Sequence, residues 1–412
     1  ESSHVRLADR AICIGPPPAA ESYLNISHII SAAEVANVDA IHPGYGFLAE
    51  NAHFAEVCES CNIRFIGPSV EAMRRLGDKV ECKRLAVEND VPTFPGSKGR
   101  IEDEDKAVEV ARDIGYPVII KAAAGGGGRG MRVAHNDVSL RSSLHAAMAE
   151  AEAAFGDKGV YIEKFLEKAR HVEVQVIGDT HGTVVHLYER DCSLQRRHQK
   201  LVEEAPCPVL DQETREKLCA SAARLTGAAG YHSAGTVEFL LDDDKNFYLL
   251  EVNTRIQVEH PVSESITGVD LIKLQLAVAA GEELPFTQDD ISINGHAIEA
   301  RINAEDPARD FAPSPGRLEH FDPPGGPGVR VDTHCYTGYM VPPNYDSMIG
   351  KLIVHRENRR EALKTLHRAL GEFRVEPIKT TIPLHMDLSV NETFIQSDVD
   401  IHWVERWLSE RG

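Results

Sequence analysis

The sequence lacks what a membrane protein, a nucleic-acid binder or a small secreted domain would need. No apolar run in its 412 residues approaches the roughly 18 required to cross a bilayer. Positive charge is short: 44 Lys and Arg face 64 Asp and Glu, for a net charge of −20. Such a field repels phosphate at long range, which argues against a general nucleic-acid or anionic-membrane partner. Any phosphate site must then be built locally, from a few cations and backbone N–H groups. Aromatic residues make up only 6%, so the basic run Gln195-Arg196-Arg197-His198-Gln199-Lys200 is better read as a local anion site than as an RNA-binding patch. The 8 cysteines do not form a disulfide framework. Cys58 and Cys61 have CxxC spacing, but no second pair lies nearby for zinc. Cys58 also falls late in a helical stretch starting near Glu50, not at a helix N-terminus as a redox site requires, so both are expected to be small apolar helix residues. This usage fits a reducing compartment, the cytoplasm. Neither an internal repeat nor a low-complexity segment is present.

At 42% hydrophobic, the chain can bury a large core, and its length suggests about two to three domains. The first part alternates helix and strand: a helix over Ser27–Val35, a short strand Val38–Ile41 running into His42-Pro43-Gly44-Tyr45-Gly46, a helix from Glu50 and a strand Arg64-Phe65-Ile66. That order predicts a parallel βαβ unit with ligand-facing loops at the strand C-termini. Such a domain normally opens with a strand and a helix, whereas only Val5–Ile14 precede here, so its opening is expected to be missing. Helices are predicted over Asp78–Asn89 and Asp103–Ile114, then a strand Pro117–Lys121, a glycine run and a strand Met131–Val133. From Phe165 onward the pattern is strand-rich, with helices near Glu213–Ala229, Ser265–Ala280 and Asn358–Phe373. In the last of these, Ala362, Leu363, Leu366, Ala369, Leu370 and Phe373 repeat at helical spacing and predict a core-facing stripe.

Two segments carry chemistry on their own evidence. In Lys121-Ala122-Ala123-Ala124-Gly125-Gly126-Gly127-Gly128-Arg129-Gly130, glycines would let backbone N–H groups wrap anionic oxygens. Lys121 precedes the glycines, so this is no P-loop; the returning strand predicts a hairpin flap over a nucleotide. The second segment is a predicted antiparallel hairpin of Gly235–Leu241 and Phe247–Asn253 around the polar turn Asp242–Asn246. If it is centred between Asp244 and Lys245, Glu238 lies opposite Glu251, and Phe239 and Leu250 share the other face. Two carboxylates about 5 Å apart repel by about 3 kcal/mol at an effective dielectric near 20. A divalent cation reverses that sign, so Glu238, Glu251 and Asn253 are candidate ligands for Mg²⁺ or Mn²⁺ carrying nucleotide phosphates. Were the chain to stay extended, Arg255, Gln257 and Glu259 would continue on that face as a cation, an amide and a base, with Pro261 ending the strand. The alternation His171-Val172-Glu173-Val174-Gln175-Val176 predicts valines in a core and His171, Glu173 and Gln175 on a solvated face. Arg301, in mid-strand among apolar residues, must be paired or functional.

Together these residues resemble the biotin carboxylases of the ATP-grasp superfamily. The matching strings are His42–Leu48, Lys121–Met131, Glu189-Arg190-Asp191-Cys192-Ser193 with Gln195–Lys200, Glu251–Glu259 with His260-Pro261, and Arg301-Ile302-Asn303-Ala304-Glu305-Asp306; the likeness spans essentially the whole chain. It implies an α/β (α+β) ATP-grasp fold: a truncated N-terminal parallel βαβ domain over residues 1–66, a helical linker over 67–92, a glycine-lid domain over 93–165 and a larger strand-rich domain over 166–412. It also implies that ATP is held by Lys79, Lys121, Gly127, Gly128, Met131, Glu163, Lys164, Leu166, His171, Gln195, His198 and Leu240, with Ile401 near the adenine. Metal falls to Glu238, Glu251 and Asn253, bicarbonate to Lys200, Arg255, Gln257, Val258 and Glu259, and the biotin ureido ring to Tyr45 and Arg301. Glu259 would deprotonate bicarbonate, and Arg301 would stabilise the biotin enolate. Ala124 stands where the family commonly has another glycine, which should stiffen the flap.

No biotin-attachment segment or carboxyltransferase domain is apparent after Ile401-His402-Trp403, so the resemblance implies a free-standing, cytoplasmic, homodimeric subunit of acetyl-CoA carboxylase in fatty acid synthesis. Its expected partners are a biotin carboxyl carrier protein and carboxyltransferase subunits, with no nucleic acid and no membrane. Two alternatives stand beside this reading. A carbamoyl-phosphate synthetase-like ligase would turn over ATP in response to ammonia, but Gln257-Val258-Glu259-His260 after Arg255 is the carboxylase-type string. A non-catalytic nucleotide-binding scaffold would bind ATP without bicarbonate-dependent hydrolysis.

Overall fold

The computed structural model describes residues 2–97, 99–101, 103–122, 131–155 and 158–411. A short helix α1 (Ser3–Leu7) precedes an irregular stretch, and α2 (Ile26–Ala36) starts where the Asn25 side chain accepts from the His28 N–H. Then come β1 (Ala40–Ile41), α3 (Ala52–Ser60) and β2 (Arg64–Phe65). β1 and β2 pair in parallel, giving the expected βαβ order, although β1 begins at Ala40 rather than Val38. Ile30, Phe54, Cys58 and Phe65 form its core, and Cys61 ends α3, so the CxxC pair does pack as helix residues.

Asp78 closes α4 (Val70–Gly77) and opens α5 (Lys79–Glu88) by accepting from two α5 N–H groups. Helix α6 (Glu104–Ile114) leads into an antiparallel sheet of 3 strands in the order β4 (Arg132–Ala134), β3 (Val118–Ala122), β5 (Val160–Lys164). Helices α6 and α7 (Asp137–Phe155) cover it through Val108, Leu140 and Leu144. The β3–β4 pairing is the predicted hairpin return. The loop between them, residues 123–130 with Gly127 and Gly128, lies outside the described residues.

The largest sheet contains β6 (Arg170–Gly178), β7 (Val184–Arg196), β8 (Gln199–Ala205), β9 (Ser233–Leu241), β10 (Phe247–Asn253), β11 (His296–Asn303) and the strands Val329–Asp332 and Met348–Arg356. Its 8 strands run β10-β9-β6-β7-β8-β11, then the Met348 and Val329 strands, with every neighbouring pair antiparallel. Period-two alternation divides it into two faces. Val172, Val174, Val237 and Phe239 lie under α8 (Gln212–Ala228). Ile298, Ala300, Ile302, Leu352 and Val354 lie under α11 (Arg359–Glu372) and α12 (Ile382–Ser389), and the predicted stripe Leu363, Leu366 and Leu370 packs against them. The opposite face carries the polar residues and is roofed near β11 by α9 (His260–Thr267), through Val262 and Ile266 on Ala205, Ala297 and Ile353. The helix predicted over Ser265–Ala280 is instead two: α9 stops at Gly268 in the left-handed region, φ 74°, and α10 (Leu271–Ala279) restarts on an Asp270 cap. Among the described residues no helix is long and apolar enough to cross a membrane.

One buried ion cluster ties the far half of the sheet to its helix. Glu204 accepts from His296 Nε2 at 2.8 Å and from Arg359 Nε at 2.6 Å, joining β8, β11 and α11. Burial alone would raise its carboxyl, but the His296 hydrogen bond and Arg359 overcome this and lower it from 4.5 to about 2. A depressed folded value stabilises the protein above the unfolded value, and that stability is lost as pH falls from about 4.5 toward 2. Glu204→Gln should therefore lower stability by about 3 kcal/mol near neutrality and by much less near pH 2.5, read from urea midpoints across that range.

Candidate active site

The carboxylate hairpin forms, with one irregularity. Near the turn Phe247 faces Leu241, Tyr248 faces Leu240 and Leu249 faces Phe239; a bulge at Leu250 then shifts the register so that Glu251 faces Glu238 and Asn253 faces Thr236. The Glu238–Glu251 pairing is as expected, but Phe239 sits against Leu249 rather than Leu250. Glu238 is buried, and Glu251 is exposed on edge strand β10. Asn253 Nδ2 donates to Glu238 Oε1 at 2.8 Å. Burial, then Glu238, raises the Glu251 carboxyl, while Lys79 at the start of α5 opposes the shift. Glu238 goes the other way: burial would raise it, but Lys200 and His171 hold it well below the carboxylate range. Two acidic oxygens and an amide oxygen on one strand pair are a hard donor set that fits Mg²⁺ or Mn²⁺. A tighter trio, His171, Glu173 and Glu238, has ligand atoms within 4.8 Å of one another, but Lys200 neutralises it from within.

Beyond Asn253 the chain does not stay extended. Glu50, in the loop before α3, accepts the Thr254 N–H at 2.9 Å and Arg255 Nε at 3.0 Å, which turns the backbone away from the sheet. Pro261 sits in the first turn of α9, so it opens a helix and does not end a strand. Convergence is reached by another route. Gln257 Nε2 donates to Glu238 Oε1 at 2.7 Å, and Lys351 Nζ donates to the Val258 carbonyl at 2.8 Å. Glu259 offers one oxygen to Lys200 Nζ at 2.6 Å and the other to Arg301 at 2.9 Å. Arg255 also returns a hydrogen bond to Asn253 Oδ1 at 3.0 Å, so it borders both the metal ligands and this cluster.

Lys200 is the centre of the arrangement, with its Nζ 2.5 Å from Glu173, 3.1 Å from Glu238 and 2.6 Å from Glu259. The face expected to be solvated is not: His171, Glu173 and Gln175 are buried, because β7 and β9 flank β6 and the cluster covers it. Beneath them Arg190, fully buried, binds Glu173, Gln175, Ser263, Thr236 and Gln257 at 2.6, 2.6, 3.0, 3.2 and 2.8 Å. Arg301 is held by Glu203 at 2.6 Å in addition to Glu259. Tyr45 is partly exposed within electrostatic reach of Arg301, Glu259 and Glu299.

The nucleotide candidates fall in two groups. His171 pairs with Leu240 across the β6–β9 ladder and reaches the candidate metal ligand Glu238 at 3.0 Å; the Ile401 N–H donates to the Ala169 carbonyl at 3.0 Å, and Gln195 is buried on β7 opposite Lys200. On the smaller sheet Glu163 binds Lys121 at 2.7 Å and Lys83 at 3.0 Å; burial would raise its carboxyl, but the two ammonium groups hold it low. Lys164 turns its ammonium to the Gly115 and Tyr116 carbonyls, and Leu166 follows in a half-buried loop. Met131 and His198 are exposed, the latter in the β7–β8 turn, and the structure does not bring them to the cluster. The sequence reading assigned no role to Glu50, Lys83, Arg190, Glu203, Glu299 or Lys351. Glu203, Glu299 and Lys351 carry the signal that marked Arg301, a charge inside an apolar strand.

Arg190→Met would leave Glu173 with Lys200 alone and the Gln257 side-chain oxygen without a donor in a dry interior. A stability loss of about 3–5 kcal/mol is expected, seen as a lowered urea midpoint.

Three family models divide the chain: biotin carboxylase N-terminal domain over residues 1–73, carbamoyl-phosphate synthase L chain ATP-binding domain over 78–287, and biotin carboxylase C-terminal domain over 299–406. A biotin carboxylase of Nostoc sp. is 54% identical, with 98% of this chain and 90% of the relative covered. A biotin carboxylase–beta-gamma-ATP complex from Campylobacter jejuni superposes with a TM-score of 0.93 at 50% identity, covering 98% of this chain and 90% of that one. The biotin carboxylase domain dimer of Hydrogenobacter thermophilus 2-oxoglutarate carboxylase, solved with MgADP, ADP and bicarbonate, matches with a TM-score of 0.91 at 46% identity over 98% of this chain and 89% of that one. The chain thus belongs to the biotin carboxylase family, ATP-dependent ligases with the ATP-grasp fold.

Proposed function

We propose that this chain carboxylates biotin on a carrier protein, using ATP and bicarbonate and passing through carboxyphosphate. The observation that carries the reading is Glu259, whose two oxygens are held by Lys200 and Arg301 beside the Glu238–Glu251 pair. Glu238, Glu251 and Asn253 would hold Mg²⁺ or Mn²⁺, which when bound offsets charge on the phosphates. Lys79, Lys121, Glu163, Lys164, Leu166, His171, Gln195, His198, Leu240, Met131 and Ile401, with Gly127 and Gly128, are assigned to ATP. Lys200, Arg255, Gln257 and the Val258 backbone are assigned to bicarbonate, and Tyr45 with Arg301 to the biotin ureido ring.

Glu259 at rest is a poor base. Burial would raise its carboxyl, but Lys200, Arg301 and Arg190 hold it well below the carboxylate range. An entering bicarbonate competes for Lys200, and drawing that ammonium away from Glu259 raises the proton affinity of the carboxylate. The base is therefore activated by the anion it must deprotonate. Glu259 takes the bicarbonate proton, and the oxygen so freed attacks the γ-phosphorus with loss of ADP. Carboxyphosphate then breaks its C–O bond to give CO₂ and phosphate. Phosphate accepts the biotin N1′ proton while Arg301 stabilises the enolate oxygen, and N1′ attacks CO₂.

The final carboxyl acceptor is selected by the carboxyltransferase partner. For this chain the assignment is the first half-reaction of acetyl-CoA carboxylase, in a cytoplasmic homodimer serving fatty acid synthesis. Its free cysteines accord with a reducing compartment, and the relative solved as a dimer accords with that assembly.

Steady-state ATP cleavage measured with bicarbonate, with and without free biotin, tests the reading. Bicarbonate-dependent cleavage stimulated by biotin is expected, and Glu259→Gln should lower it by about 100-fold or more with ATP affinity retained. A rate indifferent to both co-substrates, or stimulated by ammonia instead, would sink the assignment.

A further inference from the structure

The face of the sheet beneath α9 holds a second carboxyl pair. Strand alternation places Glu299 and Arg301 of β11, Glu203 of β8 and Lys351 of the Met348 strand on it, beside Ala205, Ala297 and Ile353. Glu299 and Glu203 are direct cross-strand partners, and both are fully buried. Glu203 uses Oε1 on Arg301 at 2.6 Å, while its Oε2 and both oxygens of Glu299 are buried without a hydrogen-bond partner. Two carboxylates only accept hydrogen bonds, so neither could satisfy the other as anions, and like charges at cross-strand spacing in a dry site do not both ionise. One proton solves both problems: a neutral Glu299 can donate to the free oxygen of Glu203.

Resting on the carboxylase reading, we propose that Glu299 is a positioning residue which, as a neutral acid donating to Glu203, fixes the Glu203 carboxylate and through it the Arg301 guanidinium that receives the biotin oxygen. Geometry gives the order of contact: Glu299 faces Glu203, and Glu203 grips Arg301, which also reaches Glu259. With Glu203 loosened, Arg301 falls to Glu259 alone and is drawn toward the bicarbonate side.

The groups facing the pair leave a narrow pH window. Burial and the neighbouring carboxylates raise Glu299 well above its ordinary value against the pull of Lys351, so it stays neutral. Burial pushes Glu203 up to about 7 despite Arg301. Lys200, Arg301 and Glu259 keep their charges, and Tyr45 and Cys192 are raised by burial and stay neutral. His260 on α9 is pushed down to about 3, chiefly by burial, and stays neutral too. Burial would lower His171, but Glu238 raises it, and it faces Glu238 and not this pair. Below about 7 Glu203 is neutral and its hold on Arg301 weak; above it the carboxylate grips.

The experiment is ATP-dependent carboxylation of free biotin by the full chain from pH 5.5 to 9, for wild type, Glu299→Gln, Glu299→Leu and Glu203→Gln. Glutamine keeps the donor, so kcat/KM for biotin should stay within about threefold of wild type. Leucine removes it, so KM for biotin should rise at least about tenfold with KM for ATP unchanged, and the inflection near neutrality should move to higher pH. Glu203→Gln should abolish that inflection, and it decides the matter if the leucine variant does not fold. Equal behaviour of Gln and Leu at position 299, equal shifts in both KM values, or an unaltered profile in Glu203→Gln would overturn the proposal. Bicarbonate-driven ATP cleavage by wild type is the separate gauge. If it is absent, the carboxylase reading falls and takes this one with it; if present with profiles unaltered, only the pair is wrong.

Discussion

A single ammonium group, Lys200 Nζ, stands between three buried carboxylates, Glu173, Glu238 and Glu259. Removing several ions from water costs several kcal/mol each, and the cost is recovered only where every charge meets an opposite one at good geometry. Lys200 alone leaves the cluster negative, and the deficit is made up by Arg190 under Glu173, Arg301 on Glu259 and His171 on Glu238. Three structural demands follow. Arg190 must be sealed by Gln175, Thr236, Ser263 and Gln257, β6 must be flanked on both sides, and the Glu259 segment must fold back over the sheet. The packed core beneath holds these positions, because a close-packed interior yields little to strain.

An antiparallel sheet suits this task for a geometric reason. Each strand sends every second residue to the same face, so β6, β9 and β11 deliver their charged groups to one surface while the alternate residues anchor in the cores under α8 and α11; β8 brings both Lys200 and Glu203, three positions apart, across a break in its register with β7. The bulge at Leu250 belongs to the same economy. It absorbs the one-residue step between the turn and the Glu238–Glu251 pair, and a hairpin that kept the turn-side register would put Leu250 opposite Glu238.

What could be read from the sequence follows from this division. Facing of Glu238 and Glu251 was legible because it depends on local strand periodicity and a short turn, and the α11 stripe was legible because helical spacing is local too. The path after Asn253 was not, since it is set by Glu50, some 200 positions away in sequence, whose carboxylate captures Thr254 and Arg255. His171, Glu173 and Gln175 looked solvated for the same reason: a two-residue period tells which face a residue takes, but not what covers that face. Arg190 has no local signature at all. Its flanking Glu189 and Asp191 suggest a surface run, and only the closure of β7 between β6 and β8 puts it in the interior. The family resemblance supplied the identity of the site, whereas hairpin geometry supplied the pairing of its candidate metal ligands.

The carboxylates also differ in proton affinity along the sheet, and the order has a logic. Glu238 and Glu259, both bonded to Lys200, are held as anions, whereas burial pushes Glu203 up to about 7 and raises Glu299 well above its ordinary value. On the proposed assignment, cations are thus committed where phosphate and bicarbonate would arrive and can be exchanged for those incoming anions, while the side that would meet a neutral ureido ring keeps its excess acid uncharged. A fully ionised set would leave Arg301 saturated by carboxylates, with little attraction for a developing enolate. A fully neutral set would leave Lys200 and Arg190 buried without counter-ions. Only an uneven distribution of protons meets both requirements: burial raises all four acids, and Lys200, bonded to Glu238 and Glu259, holds those two down.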